Sequence, residues 1–232
     1  MKKLFIIQTN YIPWKGYFDA INTVDEVVYY DTMQYTKNDW RNRNKIKTHQ
    51  GTQWLTIPID VKGKMHQRIC DATVSDKYLD WRKGHWNALQ INYSKSAHFK
   101  TYYSEFENIY KNDNETNLSK INYSFISLIN SILGIKTPVR WSSEFELSGD
   151  KTEKIINLCL QTNTTEYFSG PSAKSYLDNS LFENAGIKLS FLDYSNYPEY
   201  NQLYGEFIHE VSILDLIFNE GPNARKFMKS FS

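Results

Sequence analysis

Leu4-Phe5-Ile6-Ile7 runs without a break into Gln8-Thr9-Asn10-Tyr11-Ile12-Pro13-Trp14-Lys15-Gly16-Tyr17-Phe18-Asp19, and this passage decides the fold. Four consecutive apolar residues read as a strand buried on both faces, as in a parallel sheet. Pro13 and Gly16 then turn the chain, and a short helix follows through Phe18 to Ile21. Glu26-Val27-Val28-Tyr29-Tyr30 repeats the strand pattern and ends at Asp31, much as the first strand ends at Gln8 and Asn10. In open α/β sheets, ligands bind outside the carboxyl ends of the strands. Gln8, Asn10, Asp31, Gln34 and Tyr35 are therefore expected to converge on one mouth.

Residues 36–75 read as strands and loops, with Trp54-Leu55-Thr56-Ile57-Pro58-Ile59 the clearest strand. Residues 78–133 read as a helical insertion. Trp81, His85, Trp86 and Leu89 recur at helical spacing, and so do Ile121, Phe125, Leu128, Ile129 and Ile132, with Gly134 as the stop. Residues 138–147 read as extended. Asp150, with Glu153 three residues on, predicts a capping box for a helix reaching about Thr162. Glu166-Tyr167-Phe168 reads as a strand, Ser169-Gly170-Pro171-Ser172 as a turn opening another helix, Ile187–Leu192 as a strand, and His209–Asn219 as the last helix. The expectation is one α/β domain over 1–232, Rossmann-like, with a mostly parallel sheet flanked by helices.

Composition narrows the function. A formal charge of +1 argues against a general nucleic-acid binder, which carries a marked basic excess. Two cysteines 89 apart suggest neither a disulfide framework nor a zinc site, and Cys159 fits a helical apolar face. The apolar run at the N-terminus is too short for a signal segment, and none approaches a membrane span. A soluble, cytoplasmic protein is expected; its oligomeric state is open.

The arginines stand out. Of 27 basic residues only six are arginine, yet Arg41 and Arg43 sit two apart. A guanidinium fork binds carboxylate or phosphate bidentately, which lysine cannot copy. In an extended segment Arg41, Arg43, Lys45 and Lys47 share one face, and Trp40, Asn42, Asn44 and Ile46 the other. This reads as an anion-binding strand; a solvated basic edge strand is the plainer alternative. Aromatic residues make up 16% of the chain. Those clustered in these motifs suit stacking on sugars or bases.

Gln8-x-Asn10-Tyr11-x-Pro13-Trp14-x-Gly16-Tyr17-Phe18-Asp19, then Asp31-x-x-Gln34-Tyr35 and Trp40-x-Asn42-Arg43-Asn44-x-Ile46-Lys47-Thr48, resembles the WbqC-like protein family. Gly51–Pro58, Trp81–Trp86, Tyr167–Ser172, Tyr197–Gln202 and Ser212–Asp215 extend the resemblance from about residue 4 to 221. Thr9 stands where the family usually has proline, and Gly84 where it often has lysine. The resemblance implies a place in bacterial O-antigen or surface-polysaccharide assembly more than it implies a reaction.

Several chemistries are absent. There is no Walker pattern, no Gly-x-Ser-x-Gly elbow and no Gly-x-Gly-x-x-Gly, and the five histidines form no metal constellation. Ser169, Gly170 and Ser172 offer backbone N–H groups to an anion or form an ordinary turn with Ser172 as cap. His85 is the best general base among the histidines, or else a structural imidazole; Asp31 is the alternative base. Tyr200 and Gln202 are placed to complete a pocket wall.

The resulting expectation is a transferase acting on a nucleotide-linked amino sugar, by acyl or aminoacyl transfer. Its donor would be an activated acyl group or a nucleotide, with no resident cofactor evident. Arg41 and Arg43 would hold an anion. Trp14, Tyr17, Tyr35 and Trp40 would stack, Gln8, Asn10, Tyr11, Gln34 and Asn42 would add polar contacts, and His85 or Asp31 would move the proton. A nucleotidyl- or adenylate-forming enzyme and a non-catalytic sugar-binding or scaffold protein are the alternatives.

Overall fold

The structure, a computed structural model, describes residues 1–78 and 80–231. Five parallel strands form the main sheet: β1 (Lys3–Ile7), β2 (Glu26–Tyr29), β5 (Val139–Trp141), β6 (Glu166–Ser169) and β7 (Lys188–Phe191). Their order is β5-β2-β1-β6-β7, every neighbouring pair being parallel. The chain moves outward on one side of β1, then returns to build the other side. The crevice between the carboxyl ends of β1 and β6 is therefore a topological switch point, where α/β sheets take their ligands.

The apolar run of β1 explains this sheet. Alternate side chains point to opposite faces, so a strand with no polar position must be covered twice. Phe5, Val27 and Tyr29 join one core, with Tyr17, Phe18 and Ile21 of α1 (Lys15–Thr23). Leu4, Ile6, Val28 and Tyr30 join a second, under Leu158 and Cys159 of α5 (Lys151–Gln161) and Phe182 of α6 (Asn179–Asn184). Burial raises the Cys159 thiol to about 12, so this cysteine packs as an apolar residue.

Between β2 and β5 the chain forms an antiparallel hairpin, β3 (Arg43–Thr48) with β4 (Gly51–Thr56), then α2 (Trp81–Tyr93), α3 (Phe99–Asn112) and α4 (Leu118–Leu133). Trp86, Phe106, Phe125 and Ile129 from these helices enter the first core. Two local signals act as the sequence predicts. Gly134 ends α4 in the left-handed region, and Asp150 caps α5 in a full capping box with Glu153.

Other boundaries shift. Only 139–141 of the expected extended segment pairs, because Glu144 accepts the Trp141 N–H and starts a 3-10 turn. The strand around Trp54 stops at Thr56. Ser169–Ser172 opens a 3-10 turn at Pro171–Ser175, and α6 begins only at Asn179. The last helix, α7 (Ile213–Glu220), starts four residues after His209, since Ser212 accepts the Leu214 N–H as its cap. No helix among the described residues is long and apolar enough to cross a membrane.

Candidate functional site: two cavities at the carboxyl edge

A cavity of about 740 Å³ occupies the switch point. The end of β1, Phe5 to Gln8, forms its floor with Tyr30 and Met33. Ser169, Gly170 and Ser172 supply one rim and the first turn of α5, with Lys151, Thr152 and Lys154, the other; Tyr176 and Tyr194 add aromatic walls. Neither lysine has a carboxylate partner among the described residues. The first N–H groups of α5 are taken by the Asp150 carboxylate, so the lysines, and not the helix terminus, supply the positive charge on this rim.

The segment leaving β1 is clamped from below. Asp31, 1% exposed, accepts the Thr9 N–H at 2.8 Å and the hydroxyls of Thr9 and Ser119 at 2.5 Å. Burial raises its pKa, and these hydrogen bonds pull it back. Asn122 donates to the carbonyls of Thr9 and Arg41. Arg41 donates to Gln8 Oε1 at 2.8 Å and pairs with Asp39 at 2.7 Å, which brings its guanidinium to the mouth.

A second cavity, of about 400 Å³, opens beside the first. Asn10, Pro13, Trp14, Trp40, Asn44, Lys45 and Glu210 line it. The two cavities flank a shared aromatic wall: Trp14 packs edge-on against Tyr194, ring centroids 5.1 Å apart. A side chain at Gly16 would overlap the Trp14 ring, so only glycine lets the indole lie across the start of α1. Ile12 holds a φ of +36° in this stretch, rare for a buried β-branched residue. Asn44 Nδ2 fixes it by donating to the Tyr11 and Ile12 carbonyls at 3.1 and 3.0 Å.

The residues singled out in the sequence thus divide among several places. Gln8, Ser169, Gly170 and Ser172 line the switch-point cavity, with Arg41 bonded to Gln8. Asn10, Trp14 and Trp40 line the second. Arg43 parts from Arg41: it lies in β3 with its guanidinium 4.2 Å above the Trp54 ring, while Arg41 sits in the preceding turn. Tyr17 is buried and donates to the Gln8 carbonyl. Asn42 is buried and holds the Ile57 carbonyl. Gln34 is exposed and donates to the Met65 carbonyl, away from both cavities. Tyr35 is buried, and its hydroxyl is pushed up to about 12 by burial and then by Asp39.

Tyr11 and His85 join a hydrogen-bonded network, and His85 also lines a third cavity, of about 450 Å³, with Thr56, Pro58, Trp81 and Gly84. The Tyr11 hydroxyl is 2.9 Å from His85 Nδ1 and 2.6 Å from the Tyr110 hydroxyl. His85 is 8% exposed, and burial lowers its pKa to about 4, so it is neutral at physiological pH. Tyr200 and Gln202 join another network: Tyr200 and Tyr93 donate to Asp215 at 2.8 Å, and Lys47 donates to Gln202. Among the described residues no group of three His, Cys, Asp or Glu side chains could hold a metal ion.

Lys151, Lys154, Tyr176, Tyr194 and Glu210 were not among the candidate residues of the sequence, and Asn44 and Lys45 entered only as members of the two faces of the extended segment. The one signal for Lys151 was its position just inside the capping box of a helix that follows a strand.

Comparisons agree with the motif reading. The WbqC-like protein family matches residues 8–227. A relative described as the uncharacterized protein Rv1507c, from Mycobacterium tuberculosis (strain ATCC 25618 / H37Rv), is 49% identical over 229 residues. That alignment covers 99% of this chain and 98% of the relative. No solved structure matches.

Proposed function

This chain belongs to the WbqC-like protein family, and on that premise we propose that it is a transferase that binds a nucleotide-linked sugar at the switch-point cavity. The observation that carries the reading is the pair Lys151 and Lys154, unpaired among the described residues, at the first turn of α5 beside the ends of β1 and β6. A diphosphate needs positive charge and free donors; the two lysines supply the charge, and the rim hydroxyls of Ser169 and Ser172 supply donors. Tyr176 and Tyr194 offer ring faces to a base or a sugar. In bacterial surface-polysaccharide assembly, to which the motifs point, such a substrate is the expected currency, and acyl or aminoacyl transfer to an amino sugar remains the first reaction to test.

A nucleotidyl- or adenylate-forming reaction is the second reading, and one observation favours it. Asp31 and His85 are both held in buried networks. Phosphoryl-type transfers lean on positioning and electrostatics more than on a strong protein base.

Calorimetry with UDP-, dTDP- and GDP-linked hexoses tests the binding. At least one should bind, and Lys151→Ala combined with Lys154→Ala should weaken it by about 100-fold, two charge-assisted contacts being lost. Absence of binding by every nucleotide sugar, or equal binding by the double variant, overturns the assignment.

A further inference from the structure

The second cavity differs from the first in charge and in the kind of surface it offers. Lys45 Nζ and the Glu210 carboxylate pair at 3.9 Å on its rim, so the lining carries no net charge and does not select an anion. Its walls present the rings of Trp14 and Trp40, the latter 44% exposed. Trp40 is propped rather than loose: its ring lies 5.5 Å from that of Trp54, which carries Arg43 in turn. Asn10 lines the cavity with these rings and carries an unpaired acceptor. Asn10 Oδ1 is buried and lacks a hydrogen-bond partner among the described residues. A buried acceptor left unpaired is costly, and a strained backbone such as that of Ile12 concentrates at functional sites.

These features select a ligand with an apolar face, hydroxyl or amide donors on its edge and no charge. A pyranose ring fits: its axial C–H bonds sit on the electron-rich face of an indole while its edge donates to an amide oxygen. An anionic nucleotide does not match the neutral rim, and an aliphatic chain would leave Asn10 unpaired. The position is apt as well. Gln8 lines one cavity and Asn10 the other, two residues apart on the segment that Asp31 clamps through Thr9.

We infer that the tryptophan-lined cavity binds a neutral saccharide ring, a second substrate held beside the nucleotide-linked one. The notion of a second substrate rests on the function proposed above; the saccharide site itself does not.

Tryptophan fluorescence reads the site directly, because Trp40 and Trp54 are exposed while Trp81 and Trp86 are buried. N-acetylglucosamine and the methyl glycosides of glucose, galactose and mannose would each be titrated to tens of millimolar, with and without saturating UDP. At least one sugar should perturb the emission in both conditions. Asn10→Ala and Trp40→Ala should each weaken that sugar by about tenfold or more, with UDP affinity unchanged. Asn10 has no partner to lose, so its variant should melt no lower than the parent. The inference is overturned if no sugar perturbs the emission, if UDP displaces the sugar, or if both variants bind it normally. UDP failing to bind while a sugar does would overturn the nucleotide assignment alone.

Discussion

Two regions of this molecule hold unusual polar groups, and they treat them oppositely. On the insertion side, Asp31, His85 and Asp215 are each closed into a network of hydroxyls and main-chain groups. At the carboxyl edge, Lys151, Lys154 and Asn10 stand open, without partners among the described residues. On the function proposed above, the satisfied groups hold the fold and the unsatisfied ones at the cavity walls serve a ligand. Changing a closed group should therefore cost stability, and changing an open one should cost binding.

The sharpest attempt to break that contrast is Asp31→Ala. The change strands the Thr9 N–H and the Thr9 and Ser119 hydroxyls in a site that water does not reach. The expected loss is about 3 kcal/mol or more, which for a chain of this size lowers the melting temperature by roughly 6–12 °C. Denaturant melts supply the measurement. An Asp31→Ala protein as stable as the parent but dead in turnover would return the carboxylate to the role of catalytic base.

His85 gives the next largest effect, and it shows as a pH dependence. Its folded pKa is about 4, against 6.5 in the unfolded chain. Between those values the unfolded chain binds a proton that the folded one refuses, so stability falls as pH drops from about 6.5 to 4 and this contribution levels off below. The full span is worth about 3 kcal/mol. His85→Gln retains a polar group but does not titrate. Subtracting its stability–pH curve from that of the parent should isolate the slope. A difference that stays flat across this range would mean the imidazole is open to solvent, and would restore it as a proton carrier.

The same contrast explains what could be read in the sequence. Signals that act within a few residues were legible: the apolar run of β1, the capping box at Asp150 and Glu153, the stop at Gly134. Their physics is contained in the local chain. Period-two reasoning failed for Arg41 and Arg43 because it assumes an extended backbone throughout. Asn42 N–H donates to the Asp39 carbonyl, so Arg41 lies in a turn and points to Gln8 while Arg43 begins β3. The last helix was drawn too long because apolar residues precede it, although Ser212, its true cap, was in view. What no local rule could show is that the first turn of α5 meets the end of β1. That juxtaposition depends on the chain crossing from β5 over two strands to β6, and sequence spacing does not encode such a crossing. Of the dense early motif in residues 8–46, Tyr11, Tyr17, Asp31 and Asn42 are buried and bonded inside the fold, which the motif's composition does not reveal.

The smallest expected effect is the most discriminating, because its two readouts move in opposite directions. Lys151 is the first residue of α5, exposed at the positive end of the helix dipole and without a carboxylate partner among the described residues. A cation is disfavoured there by about 0.3–1 kcal/mol. Lysine and alanine both favour the helix interior, so propensity contributes little to the exchange. Asp150 and Glu153, which cap the helix, keep their bonds to Thr152, Glu153 and Asp150 main-chain N–H groups. Lys151→Ala should accordingly leave the protein as stable or slightly more stable, while nucleotide-sugar affinity falls by about tenfold. A group placed against its local electrostatic preference at a cavity rim is what a stability–function trade-off predicts. Raising the salt should narrow the affinity gap between parent and variant, since an ion-pair contribution is screened and a packing contribution is not. A variant that loses stability and keeps its affinity would place Lys151 among the closed groups and remove the central support for the switch-point site.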